Sequence, residues 1–227
     1  MLIMQVKLIK PNSYEVSKEQ LKQFNKINMG RLDALPPMRR YSGSSTAYIE
    51  TNEAAFIGPK SKTKGIYTCD AWDCVVVAAV VRGFDGKAAR VGMLHISPKI
   101  TATNKNAVGD FFKQIKNGVT GDIEITIISG ALTERSNGHA AKVFIESKKY
   151  GKIKFMNCDI YGERGDAVLI DRQGTVYYES YETEWGPRKE GWNRKGLEWS
   201  RKLESEGSNK EFSWQNGEPG KVCYFRF

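Results

Sequence analysis

The chain is poor in the residue types that carry most metal and nucleophilic chemistry. Its 227 residues include only two histidines, His95 and His139, and four cysteines, Cys69, Cys74, Cys158 and Cys223. Cys69 and Cys74 have the wrong spacing for a zinc knuckle, and no second pair follows; this argues against a structural zinc site. P-loop, zinc-finger and RNP-like motifs are also missing, which removes the usual signatures of nucleotide and nucleic-acid binding. No apolar run approaches the roughly 18 residues that span a bilayer, so no membrane partner is expected. The opening "MLIMQVKLIKP" lacks a long apolar core and a small-residue cleavage site, so a cleaved secretory signal is not expected. Reduced thiols follow from that reading and from the chain's size. No internal repeat is visible.

What is present is an ordinary globular composition. The chain is 40% hydrophobic and 27% charged, enough to bury a core without staples. The net charge of +9 comes from Lys and Arg spread along the chain. Such charge favours acidic surfaces, but its scatter makes nucleic acid the less favoured partner. A monomer is expected.

Hydrophobic periodicity divides the chain into short elements. Residues 2–9 read as a strand. "SKEQLKQFNKI" (17–27) reads as a helix with Ser17 as N-cap. "LPPMRRYSGSS" (35–45) is a loop. "AYIETNEAAFIG" (47–58) holds one or two strands and a turn, and "GIYTC" (65–69) another strand. "CVVVAAVVRGF" (74–84) is almost wholly apolar, as a strand buried on both faces would be. Asp85-Gly86 is a hairpin dipeptide leading into "KAARVGMLHIS" (87–97). "NKNAVGDFFKQIKN" (104–117) reads as a helix with Val108, Phe111, Phe112 and Ile115 on one stripe. "DIEITIISGAL" is a strand, "HAAKVFIESKKYG" a helix, and "KIKFMNCDIYG" and "AVLIDRQGTVYYESY" further strands, the last turning at Gln173-Gly174. Strands outnumber helices, so the expected class is α+β, a strand-rich core flanked by two or three helices. The expected organisation is a domain over 1–182, then a polar extension over 183–227 packed on it. That extension carries Trp185, Trp192 and Trp199; it is either a surface segment pinned by its indoles or a partner-docking surface.

The two stretches "IYTCDAWDCVV" (66–76) and "VGMLHIS" (91–97) hold the chemistry. With a two-residue turn at Asp85-Gly86, residues pair when their numbers sum to 171, so His95 lies opposite Val76. Cys74 shares the face of Val76 because strand side chains alternate. Cys74 and His95 are then diagonal neighbours, roughly 7–8 Å apart at Cα. An imidazole in that position can take a thiol proton, hold the thiolate and return the proton to a leaving group. A loop one residue longer would put His95 on the other face. Taken alone, a cysteine before an apolar strand is more often a small core hydrophobe.

The order Thr68, five residues, Cys74, an apolar run, a turn, then Gly92-Met93-Leu94-His95 resembles the CheD-like glutamine deamidases. These include the chemoreceptor deamidase CheD and the toxin domains of cytotoxic necrotizing factor and Burkholderia lethal factor. The match covers residues 66–97. The family carries Gly-Ser or Ser-Gly before the cysteine, where this chain has Trp72-Asp73. The resemblance implies a mixed β-sandwich with flanking helices and a hydrolase acting on a protein glutamine carboxamide. Cys74 would be the nucleophile, His95 the general base and acid, and Thr68 the residue that orients the imidazole. No cofactor or metal is implied. The partner would be a protein presenting an exposed glutamine. The setting would be a cytoplasm, or a host cytosol reached by a bacterial toxin or effector exported without a signal peptide.

Other candidates are weaker. Backbone N–H groups at Asp73 and Cys74 are the expected oxyanion donors, and Ser97 falls on the Cys74 face by the same register. Asp70 and Asp73 could orient a histidine or repel substrate. Cys69 should face away from Thr68 and read as core. His139 reads first as a surface histidine, and second as a ring partner or substrate contact. Two other function classes stay open: a non-catalytic basic module for protein or nucleic acid, and another cysteine hydrolase such as a protease.

Overall fold

The computed structural model describes residues 34–41, 45–69, 71, 74–104, 106–129, 134–158, 164–182 and 223–227. Among them, ten strands and three helices form an α+β fold of two sheets and a helical layer. The strands are β1 (Thr46–Tyr48), β2 (Glu53–Ile57), β3 (Gly65–Thr68), β4 (Val75–Arg82), β5 (Ala88–Ile96), β6 (Asp122–Ser129), β7 (Lys152–Cys158), β8 (Arg164–Asp171), β9 (Val176–Glu182) and β10 (Cys223–Arg226). The helices are α1 (Pro98–Thr103), α2 (Ala107–Lys116) and α3 (Glu134–Lys148). One sheet has the order β1-β3-β8-β9 and the other β10-β2-β5-β4-β6-β7. Both are mixed: β1 runs parallel to β3 and β6 to β7, and the remaining neighbours are antiparallel.

Strand β4 shows why the sandwich forms. Val75, Val77, Ala79 and Val81 pack against the helices. Val76, Ala78 and Val80 pack against Ile66, Val168 and Ile170 of the smaller sheet. A strand with apolar partners on both sides gains by burying every side chain, about 1.5–3 kcal/mol for each valine. That is why its sequence does not alternate. On the helical side, Val108, Phe111, Phe112 and Ile115 of α2 and Ala140, Val143 and Phe144 of α3 close the core. Gly92 lets the Phe56 ring cross β5 closely; a Cβ there would lie 2.5 Å from Phe56 Cδ1.

The β4–β5 hairpin reaches its register by a different route from the sequence expectation. The turn is not a two-residue Asp85-Gly86 turn. The Gly86 N–H donates to Gly83 O and the Gly83 N–H to Lys87 O, so the loop is Phe84-Asp85-Gly86. Gly86 takes φ +74°, the left-handed position that closes a three-residue hairpin loop. That extra residue alone would turn His95 over. A bulge cancels it: Arg82 pairs with Ala88 while Val81 pairs with Arg90, leaving Ala89 as the surplus residue. From Val81 inward every pair sums to 171, and Val76 faces His95.

Helix α1 is an element the periodicity did not suggest. Its signal is local: Ser97 caps it by accepting from the Ile100 N–H, and Pro98 opens its first turn. Helix α3 starts at Glu134, earlier than the expected His139. The segment expected as pure loop at 35–45 contains one 3₁₀ turn, Met38–Arg40, with Met38 buried. The expected elements at residues 2–9 and 17–27 and the three tryptophans lie outside the described residues. The far end of the 183–227 segment supplies β10 at the edge of the larger sheet, beside β2. Among the described residues no helix is long and apolar enough to cross a membrane.

Candidate functional site

Residues from both sheets meet at the end of the sandwich where β3 and β5 finish and β4 begins. His95 stands on the inner face of the larger sheet, in the row of Met93 and Val91. Cys74 belongs to the same inner cluster and precedes β4 directly. The two side chains therefore share a face and an end of the sheet. Both side chains are buried, Cys74 at 9% exposed and His95 at 1%.

Thr68 comes from the opposite sheet. Ile66 points into the sandwich, and alternation gives Thr68 the same direction. Its Oγ1 lies 2.7 Å from His95 Nδ1 and 2.9 Å from the Ile49 carbonyl oxygen. A carbonyl can only accept, so the single hydroxyl proton of Thr68 goes to Ile49 O. The Thr68 oxygen must then accept from the ring, which puts the proton of a neutral imidazole on Nδ1. Nε2 keeps the lone pair. This is the tautomer a general base needs, and it is set by a backbone carbonyl through one hydroxyl.

The segment before β2 anchors this arrangement. Asn52 adopts φ 67°, a left-handed position that asparagine tolerates better than most residues. From there its N–H donates to His95 O at 2.7 Å, and its Oδ1 accepts from the Ser97 N–H at 3.0 Å. Both ends of the His95–Ser97 segment are thereby tied to one residue. Glu53 follows, fully buried, and pairs with His95 across β2 and β5. One Glu53 oxygen accepts from the Glu50 N–H at 2.9 Å, and the other pairs with Arg226 Nη2 at 2.6 Å. The Arg226 side chain is 60% exposed. Its hydrogen bond to Glu53 raises the guanidinium's proton affinity above the ordinary arginine value.

The remaining sequence candidates separate as follows. Ser97 lies at the end of β5, but its hydroxyl is engaged as the cap of α1. Cys69 is buried on the outer face of the smaller sheet with Tyr67 and Leu169, its sulfur 3.7 Å from Tyr48 Oη. His139 is not a surface histidine: it is fully buried on α3, with Nε2 3.0 Å from Ile96 O. Its helix begins before it and packs onto the helical side of β4, β6 and β7, which turns the ring inward. Cys158 and Cys223 lie in β7 and β10. Asp70 and Asp73 fall outside the described residues.

Asn52, Glu53 and Arg226 were missed by sequence reasoning. Glu53 left one signal, a carboxylate heading the otherwise apolar strand "EAAFI". Among the described residues no group of three His, Cys, Asp or Glu side chains could hold a metal ion. A wide depression lined by Phe112, Lys113, Asn117, Thr120 and Tyr150 lies at the Arg82 end of β4. That is roughly 27 Å from Cys74 at about 3.4 Å per residue, too far to serve this site. The chain matches no known family model, and no curated protein matches it.

Proposed function

We propose that this chain is a cysteine-dependent protein glutamine deamidase of the CheD-like kind. One observation carries the reading: Thr68 bridges Ile49 O and His95 Nδ1, which leaves Nε2 as the base on the face that Cys74 shares.

The steps balance without a cofactor. His95 Nε2 takes the Cys74 thiol proton, and the thiolate attacks the carboxamide carbon of a substrate glutamine. The C–N bond breaks as the imidazolium returns the proton, and ammonia leaves. A thioester remains on Cys74. Water loses a proton to His95 and attacks the thioester carbon; the C–S bond breaks and the sulfur regains its proton. The net change is one glutamine and one water to one glutamate and one ammonia.

Two measurements test this. Iodoacetamide at neutral pH should alkylate Cys74 faster than the other three cysteines, and His95→Ala should abolish that advantage. Mass spectrometry of lysate proteins incubated with the chain should show glutamine converted to glutamate in an intact polypeptide, absent with Cys74→Ser. Equal slow labelling of all four cysteines would refute an activated thiol. A cut polypeptide would assign a protease instead.

A further inference from the structure

Glu53 is a fully buried carboxylate, and nothing in the deamidation steps uses it. Its register partner is His95, on the same face of adjacent antiparallel strands. Directly paired residues place their Cβ atoms roughly 4.5–5.5 Å apart, so the carboxylate and the imidazole are electrostatic neighbours in a dry interior. On the other side of Glu53 stands Arg226, paired with it in the β10–β2 register and bonded to its carboxylate at 2.6 Å. Three adjacent strands thus present His95, Glu53 and Arg226 in one row.

We propose that Glu53 and Arg226 are positioning residues that set the proton affinity of His95. The proposal rests on the reading of His95 as the general base of Cys74. A lone carboxylate beside the ring would hold it as imidazolium and remove its lone pair at neutral pH. A lone guanidinium would do the reverse and weaken the base. Arg226, one strand further away, offsets part of the carboxylate's pull on the ring. Glu53 also organises the turn that serves the site: its oxygen accepts the Glu50 N–H, and that turn carries Ile49 O, which takes the Thr68 proton, and Asn52, which holds His95 O. Among the described residues, the titratable or charged groups facing His95 are Cys74 before β4, Glu53 on β2 and, behind Glu53, Arg226 on β10. Thr68 on β3 is its neutral partner. Glu50 is exposed on the turn, and His139 meets the next residue's carbonyl from the helical side.

The test follows the His95 ring protons by NMR in the full chain carrying Cys74→Ser, which removes coupling to the thiol. His139 serves as the control for intact packing. Arg226→Gln should raise the His95 titration midpoint, by less than about one pH unit because the guanidinium is largely exposed and therefore screened. Glu53→Gln, which keeps an acceptor for the Glu50 N–H, should lower it. The double variant should lie between the two single variants, and Arg226→Lys should leave the midpoint nearly unmoved. A His95 midpoint unchanged in both single variants, with His139 signals intact, overturns the proposal. Alkylation of Cys74 in the chain that keeps its thiol is the separate check on the underlying reading. A thiol that His95→Ala does not slow defeats that reading and this proposal together. An activated thiol with an unmoved midpoint defeats only the role of Glu53 and Arg226.

Discussion

Thr68 offers the sharpest perturbation, because one hydroxyl serves two partners from different parts of the fold. Thr68→Val keeps the shape and deletes the oxygen. The Ile49 carbonyl loses its donor and His95 Nδ1–H its acceptor, both inside a residue environment 0–1% exposed. Each buried polar group left without its bond costs about 1–3 kcal/mol, so the variant should lose about 2–6 kcal/mol of stability in urea denaturation. Thr68→Ser removes only a methyl group and should lose about 1 kcal/mol. The chemical readout separates this from a packing defect. Losing an orientation and tautomer bias of about 1–2 kcal/mol should slow alkylation of Cys74 by roughly 5–30-fold in the valine variant. The serine variant should stay within about 2-fold of the parent, since it retains the hydroxyl. If the valine variant is destabilised as stated yet alkylates as fast as the parent, the hydroxyl is a structural bond only and the tautomer argument fails.

Two further predictions concern the surroundings of the site and the far edge of the sheet. Asn52→Ala should cost about 1–2 kcal/mol more than Asn52→Gly in the urea midpoint; both lose the bond to the Ser97 N–H, but only alanine resists φ 67°. Glu124 lies between Lys154 and Arg82 at 2.9 and 3.0 Å, and its carboxyl is held below its usual 4.5, first by the Lys154 hydrogen bond. A depressed carboxylate contributes stability above its unfolded value and loses it as pH falls through the folded one. Glu124→Gln should therefore be the less stable protein at pH 7, by under about 1 kcal/mol for so exposed a pair. The gap should close as acid titrates the parent, which urea melts at neutral and acidic pH will show.

Much of the fold was legible because the strands advertise their environment. The unbroken apolar run of β4 follows from burial on both faces, and the 3.6-residue stripe of α2 from burial on one. The shared face of Cys74 and His95 was also readable, though by a fortunate cancellation: the loop is one residue longer than its dipeptide suggested, and the bulge at Ala89 takes up the surplus. Helix α1 was missed because six residues are too few for a hydrophobic period to declare itself. His139 was misplaced because the polar residues before it belong to the helix rather than to a loop.

What the chain's order of residues determined by itself was local: which segments are strands and how side chains alternate along each. Alternation is a property of neighbours along one strand, so it survives without knowledge of the whole, whereas the register that puts the thiol and the imidazole on one face needed the bulge at Ala89. Only the tertiary structure decided that Thr68 crosses from one sheet to orient a ring on the other, and that Arg226 reaches Glu53 from 173 residues away. Those contacts depend on how two sheets stack and where the last strand docks, and no periodicity in a sequence encodes a stacking distance.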